Sequence, residues 1–164
     1  MDRTLLVVHH SRTGGTRAMA EAAVQGAEGA APGCARLVAA GECGSDALLA
    51  AAGYLFACPE NLGSMSGAMK EFFDCCYYPV LGRIEGRPYA VLVCAGTDGE
   101  GAARQIARIA TGWRLKAVAD PLIVRTGAQE PAAILAPKRI PEADLARCRE
   151  AGATLAAGIS MGIF

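Results

Sequence analysis

Short, mainly apolar runs recur along the chain and are separated by longer stretches whose apolar residues follow helical spacing. The runs occupy residues 5–8, 35–38, 54–58, 88–95 and 118–124. Runs of this length are typical of strands buried on both faces of a parallel sheet, and the stretches between them are too long for hairpins. The pattern therefore predicts an α/β fold with a five-stranded parallel sheet and helices on both faces. Pro121 lies inside the last run and, because proline cannot donate to a central ladder, places that strand at a sheet edge.

Five helices are predicted between and after these strands. The first begins near Thr16 and carries small residues, including Gly26, that permit close approach to the sheet. A short second helix follows the second strand. The third has Ser66 as its predicted N-cap, the fourth is stopped by Gly112, and the last is opened by Pro141. Residues 59–65 are predicted as a loop, and residues 127–140 as the longest irregular segment.

The turn after the first strand is rich in hydroxyl groups and glycine. It consists of Ser11, Arg12, Thr13, Gly14, Gly15 and Thr16. Glycines let the backbone bend tightly and expose its N–H groups, and a helix N-terminus adds unpaired N–H donors with a partial positive charge. The spacing matches neither the P-loop, because no Lys follows the glycines, nor the dinucleotide motif GxGxxG, so a monophosphate group is favoured. The alternative is a glycine-rich turn that holds no ligand.

The same residues carry a resemblance to a known family. Residues 11–16 resemble the [ST]xTGxT loop of the flavodoxin family, which holds the phosphate of flavin mononucleotide (FMN). The resemblance implies one flavodoxin-like domain over residues 1–164, a three-layer sandwich with strand order 2-1-3-4-5. Gly15 departs from the family pattern, which often has Asn at this position.

Two further stretches resemble the NAD(P)H:quinone oxidoreductases of the flavodoxin-like superfamily. Residues 59–74 resemble the loop and helix beside the flavin ring, and residues 94–101 resemble the third flavin loop. Glu60 departs from the pattern, which often has Thr followed by Arg. The cofactor-binding residues implied in these two loops are Pro59, Glu60, Asn61, Leu62, Gly63, Ala95, Gly96, Thr97, Asp98 and Gly99.

The resemblance implies that FMN carries the chemistry, so no catalytic side chain is assigned, and that NADH or NADPH is the cosubstrate. Candidates for packing against the flavin ring are Leu62, Met65 and either Tyr77 or Tyr78. Consecutive strand residues point to opposite faces, so His9 and His10 cannot chelate one metal ion. We expect His10 to reach the flavin site and His9 to be buried and hydrogen bonded.

Charge and cysteine content narrow the class of partner. The 164 residues include 16 basic and 16 acidic residues, a balance that favours a small-molecule electron acceptor over nucleic acid or an anionic membrane surface. The seven cysteines contain no CxxC pair, which argues against a metal site. No export signal or apolar stretch long enough for a bilayer is seen, so reduced thiols and a cytoplasmic location are expected.

Three functions stay open from the sequence. The first is an FMN-binding oxidoreductase that transfers electrons from NAD(P)H to a quinone or similar small acceptor. The second is a flavodoxin-type electron carrier that binds FMN without oxidising NAD(P)H. The zero net charge of the chain argues against this function, because carriers of this kind resemble strongly acidic proteins that use their charge to steer docking. The third is a binding or regulatory domain that has lost its flavin. The resemblance also implies a homodimer or homotetramer.

Overall fold

The computed structural model describes residues 3–164, which form a parallel sheet covered by helices on both faces. The strands are β1 Leu5–His9, β2 Ala35–Ala39, β3 Gly53–Asn61, β4 Ser64–Met65, β5 Pro88–Ala95, β6 Lys116–Ala117 and β7 Leu122–Arg125. The helices are α1 Gly15–Ala30, α2 Ser45–Ala50, α3 Gly67–Val80, α4 Glu100–Gly112, α5 Pro131–Leu135 and α6 Glu142–Met161, and a 3-10 turn spans Ala40–Glu42. The predicted α/β class is confirmed.

The sheet has the strand order that the resemblance implied. β2, β1, β3 and β5 lie side by side and run parallel, and β6 and β7 both pair with β5 at the fifth position. If the hairpin strand β4 is left out of the count and β6 and β7 are counted together as the fifth strand, this is the order 2-1-3-4-5. The prediction of one strand over residues 118–124 was therefore wrong. The ladder is interrupted just before Leu122, where Pro121 has no N–H to donate.

The two faces of the sheet bury separate cores. Leu6 and Val8 of β1 face α3 and α4, in a cluster that includes the fully buried Trp113. The Trp113 indole donates to the carbonyl oxygen of Tyr77 at 3.0 Å, which satisfies its buried N–H. Leu5 and Val7 alternate to the opposite face, which α1 and α6 cover.

Helices α1 and α6 cross at very close range because each has a glycine at the crossing. A Cβ on Gly26 would overlap the carbonyl oxygen of Arg149, and a Cβ on Gly152 would overlap that of Ala23. Gly26 therefore permits the approach of α6 rather than of the sheet, which corrects the expectation from the sequence. The crossing fixes α1, whose N-terminus forms part of the site described next.

Candidate functional site

Three loops meet where the carboxyl ends of β1, β3 and β5 lie together. The loop after β1 leads into α1 at Gly15, the end of β3 leads into β4, and the loop after β5 leads into α4 at Glu100. In open α/β sheets this edge is where ligands bind, at the point where the strand order reverses. The three stretches selected from the sequence are therefore neighbours in the fold.

Two pockets that share lining residues lie at this edge, an inner pocket of about 70 Å³ and an outer pocket of about 700 Å³. The inner pocket is lined by predicted residues from all three loops: Ser11, Arg12, Thr13, Thr16, Pro59, Glu60, Asn61, Ala95 and Gly96. The outer pocket adds Leu62, Gly63, Thr97 and Asp98. Three predicted residues, Gly14, Gly15 and Gly99, line neither pocket. They contribute to the shape of the loops, through positive φ at Gly14 and Gly99 and close packing at Gly15.

Thr16 is the most unusual polar residue of the first loop. It is 2% exposed and lines the inner pocket in the first turn of α1. Within residues 3–164, its Oγ1 is one of two buried side-chain polar atoms that have no hydrogen-bond partner, the other being Nδ1 of His9. Leaving a buried hydroxyl unpaired costs about 1–3 kcal/mol. At a helix N-terminus, such a donor is suited to an oxyanion in the pocket.

Glycine geometry shapes the rest of the first loop. Gly14 has φ 91°, and its N–H donates to Ser11 Oγ at 3.2 Å. A Cβ on Gly15 would lie 2.8 Å from Cys94 Sγ and 3.1 Å from Lys138 Cβ. A side chain at this position would therefore displace the Cys94 thiol and crowd Lys138, which accounts for glycine here in place of Asn.

The stretch after β3 is a hairpin, and the prediction of a loop over residues 59–65 was wrong. β3 continues to Asn61 and pairs antiparallel with β4, with Glu60 opposite Met65 and Asn61 opposite Ser64. The turn residues Leu62 and Gly63 both have positive φ, 53° and 73°. Asn-Gly is the usual pair in a two-residue hairpin turn, so the Leu62–Gly63 pair did not predict a hairpin.

The Glu60 side chain ties the hairpin to the third loop. Its carboxylate accepts from the N–H of Gly99 at 2.8 Å and from the N–H of Ala102 at 3.0 Å, at the N-terminus of α4. Gln105 adds a second tie, because its Oε1 accepts from Ser64 Oγ and the Met65 N–H, both at 2.9 Å. The sequence indicated a departure at Glu60 but not this structural role.

We expect Glu60→Gln to lower the free energy of unfolding by about 2 kcal/mol, because the amide can present only one acceptor to two N–H donors of a helix N-terminus. Chemical denaturation followed by circular dichroism measures the loss. Glu100→Gln is the matched control, since Glu100 is exposed and its 3.5 Å pair with Arg125 is worth less than about 1 kcal/mol. Equal stability of the two variants would contradict the role given to Glu60.

Other candidates from the sequence lie outside the pocket walls. Met65 is buried beneath the hairpin, and Tyr77 stacks on Trp113 with ring centroids 5.8 Å apart. Ser66 stands at the N-cap of α3, yet its hydroxyl makes no cap and instead bonds Nδ1 of His10 at 2.8 Å. Of the ring-packing candidates, Leu62 alone lines the outer pocket.

The two histidines have different charged neighbours, Arg12 for His10 and Arg17 and Glu21 for His9. Burial and the nearby Arg12 lower the pKa of His10, which favours the neutral ring. Burial is also the main cause that lowers the pKa of His9. The prediction that His9 is hydrogen bonded was wrong for its Nδ1 atom, which is buried and has no hydrogen-bond partner within residues 3–164.

Sequence reasoning missed one wall of the pocket. Residues after β7 line one or both pockets: Thr126, Ala128, Gln129, Ile134 and Lys138. Cys94 begins the third flavin-like stretch but was not assigned to the cofactor, and it lines the inner pocket. Burial raises the pKa of its thiol, opposed by Lys138, so the group stays protonated. The segment after β7 carries no family-like motif and contains two prolines, so its sequence gave no signal of a site.

Neither a metal cluster nor a membrane-spanning helix occurs within residues 3–164. No three or more His, Cys, Asp or Glu side chains lie together in an arrangement that would hold a metal ion. Over the same residues, no helix is both long enough and apolar enough to cross a bilayer. All seven cysteines are free thiols.

The fold and the three converging loops define a flavodoxin-like protein, and the comparisons with known proteins agree. The model of the NADPH-dependent FMN reductase family matches residues 39–126, which is more than half of the chain. The chain belongs to this family. The matched residues include the second and third loops, whereas the first loop lies before them.

Similar proteins carry the name flavodoxin. A flavodoxin of Aquifex aeolicus (strain VF5) is 33% identical over 97 residues, which are 59% of this chain and 52% of that protein, so the chain matches about half of its length. An archaeal flavodoxin structure superposes with a TM-score of 0.77 at 20% identity, over 96% of this chain and 99% of that one. A WrbA-like flavodoxin from Agrobacterium tumefaciens gives 0.76 at 21% identity, over 96% and 98%. At these identities the structures support the fold alone.

Proposed function

We propose that the protein is an FMN-dependent oxidoreductase that takes electrons from NADPH or NADH and passes them to a quinone or a similar small acceptor. The observation that carries the FMN part of the proposal is the unpaired Thr16 hydroxyl, buried in the inner pocket at the N-terminus of α1. The family name, NADPH-dependent FMN reductase, supports both the flavin and the nucleotide.

The pocket residues fit FMN. The hydroxyl groups of Ser11, Thr13 and Thr16, with the N-terminal N–H groups of α1, would hold the phosphate in the inner pocket. Arg12 is exposed and lines both pockets, so its guanidinium supplies a positive charge near an anionic ligand. The hairpin tip and residues 97–98 would face the ring system in the outer pocket.

FMN, when bound, supplies hydride acceptance and one- or two-electron transfer. The chain's own groups then bind, orient and shield the cofactor. His10, expected to reach the flavin site, lines neither pocket; it favours its neutral form and is bonded to Ser66. The Cys94 thiol, which lines the inner pocket, favours its protonated form. Neither is assigned a catalytic proton transfer.

A second candidate function is the flavodoxin-type electron carrier. It is favoured by the 33% identity to the Aquifex aeolicus flavodoxin over 97 residues. The zero net charge of the chain disfavours it, because a carrier that docks on redox partners uses a strong surface charge to steer association.

The proposal of an oxidoreductase further includes a single domain over residues 1–164, a homodimer or homotetramer, and a cytoplasmic location with reduced thiols.

The experiment is an anaerobic visible spectrum of the FMN-reconstituted protein, followed after addition of NADPH and, separately, NADH. We expect the flavin band to bleach within seconds with one donor, and to return when a small quinone is added. A bound flavin that stays oxidised with both donors would move the assignment to the carrier. A protein that retains no added FMN would contradict both functions.

A further inference from the structure

The segment of residues 126–138 is pinned at both ends to the loops that form the pocket. At its start, the N–H of Thr126 donates to Ala95 O at 2.9 Å and that of Gly127 to Gly96 O at 2.8 Å. At its end, the N–H of Lys138 donates to Thr13 O at 2.8 Å. The segment therefore runs from the third loop to the first and spans the pocket between them.

The middle of this segment is held by local contacts rather than by the core. It contains α5, none of whose residues is buried. The Lys138 ammonium donates to three carbonyl oxygens around the end of α5, those of Ala133 and Ile134 at 2.8 Å and that of Ala136 at 2.6 Å. These bonds shape the segment while leaving its apolar side chains exposed.

One of those side chains faces the pocket and its neighbour does not. Ile134 is 47% exposed and lines both the inner and the outer pocket. Leu135 is 66% exposed and lines neither. Leu62, fully exposed at the hairpin tip, lines the outer pocket together with Ile134. Leu62 and Ile134 are the two large apolar side chains that line the outer pocket. Such a pair suits a flat, apolar ring system, which would remove both side chains from water.

We propose that residues 126–138 form a fourth flavin-binding segment, in which Ile134 packs with Leu62 against the ring system of FMN. The inference rests on the proposed function, because it places FMN in this pocket. It goes beyond that function by making cofactor retention depend on a segment outside the three loops. Because Ile134 contacts the ring and not the phosphate, its contribution to flavin affinity does not depend on whether the flavin carries a phosphate.

The test compares Ile134→Ala with the matched control Leu135→Ala, which removes a similar side chain from the same helix. Quenching of flavin fluorescence gives the dissociation constants for FMN and for riboflavin. We expect Ile134→Ala to weaken the binding of both flavins about tenfold, by a similar factor for each, and Leu135→Ala to stay within about twofold of the parent. Bound FMN is also expected to slow tryptic cleavage after Lys138 and Arg139.

The outcomes separate the inference from the function on which it rests. If the parent protein binds FMN and Ile134→Ala binds it equally well, the fourth segment is overturned and the proposed function stands. A loss for FMN without a loss for riboflavin would overturn the ring contact as well. If the parent binds neither flavin, both proposals fail together.

Discussion

Replacing Thr16 with Val lowers the affinity for FMN roughly 10- to 100-fold and leaves the free energy of unfolding unchanged or slightly higher. The hydroxyl is buried and has no partner within residues 3–164, so its removal costs the folded protein no hydrogen bond. A bound phosphate would lose a charge-assisted hydrogen bond, which is worth about 1.5–3 kcal/mol. Fluorescence titration with FMN and denaturant unfolding measure the two effects.

The control for this variant is Thr111→Val. Thr111 lies on α4 outside both pockets, and its hydroxyl donates to the carbonyl oxygen of Ala107 at 2.8 Å. We expect the FMN affinity of this variant to match the parent. If Thr16→Val binds FMN as tightly as the parent does, the hydroxyl has no role in holding the cofactor.

Gly26→Ala gives the largest expected loss of stability, about 3 kcal/mol or more. The new methyl group would overlap the carbonyl oxygen of Arg149 in α6, and that backbone atom cannot move aside as the end of a side chain could. The helices must separate, which strips contacts from the core shared by α1 and α6. The denaturant midpoint, followed by circular dichroism, measures the loss.

Gly29→Ala is the matched control in the same helix. Nothing lies within 4 Å of a Cβ at Gly29, which is outside the set of glycines with positive φ. Since alanine has a higher helix propensity than glycine, we expect this variant to gain up to about 1 kcal/mol. Equal midpoints for the two variants would show that α1 and α6 do not cross as closely as described.

The sequence predicted the elements whose physical cause is local. The run at residues 88–95 became β5 with those bounds, because every side chain in it is buried on one face or the other. The first loop could also be located, since its glycines and hydroxyl groups follow a buried strand directly. The strand order came from the resemblance and not from the periodicity.

The features that sequence reasoning missed depend on contacts between distant residues. Gly26 and Gly152 are 126 positions apart, and only the fold brings each against the backbone of the other helix. Glu60 caps a helix about 40 residues away, which no local spacing indicates. Residues 127–140 have neither alternation nor helical periodicity, so nothing in them predicted that Ile134 would line the pocket.

If the first loop holds the phosphate of FMN, the protein must distinguish FMN from riboflavin, which lacks that phosphate. The measurement is the dissociation constant of each flavin for the parent protein, by fluorescence quenching. The phosphate site predicts that FMN binds at least about tenfold more tightly than riboflavin, and that Thr16→Val narrows the difference. Equal affinity of the parent protein for the two flavins would contradict the phosphate site.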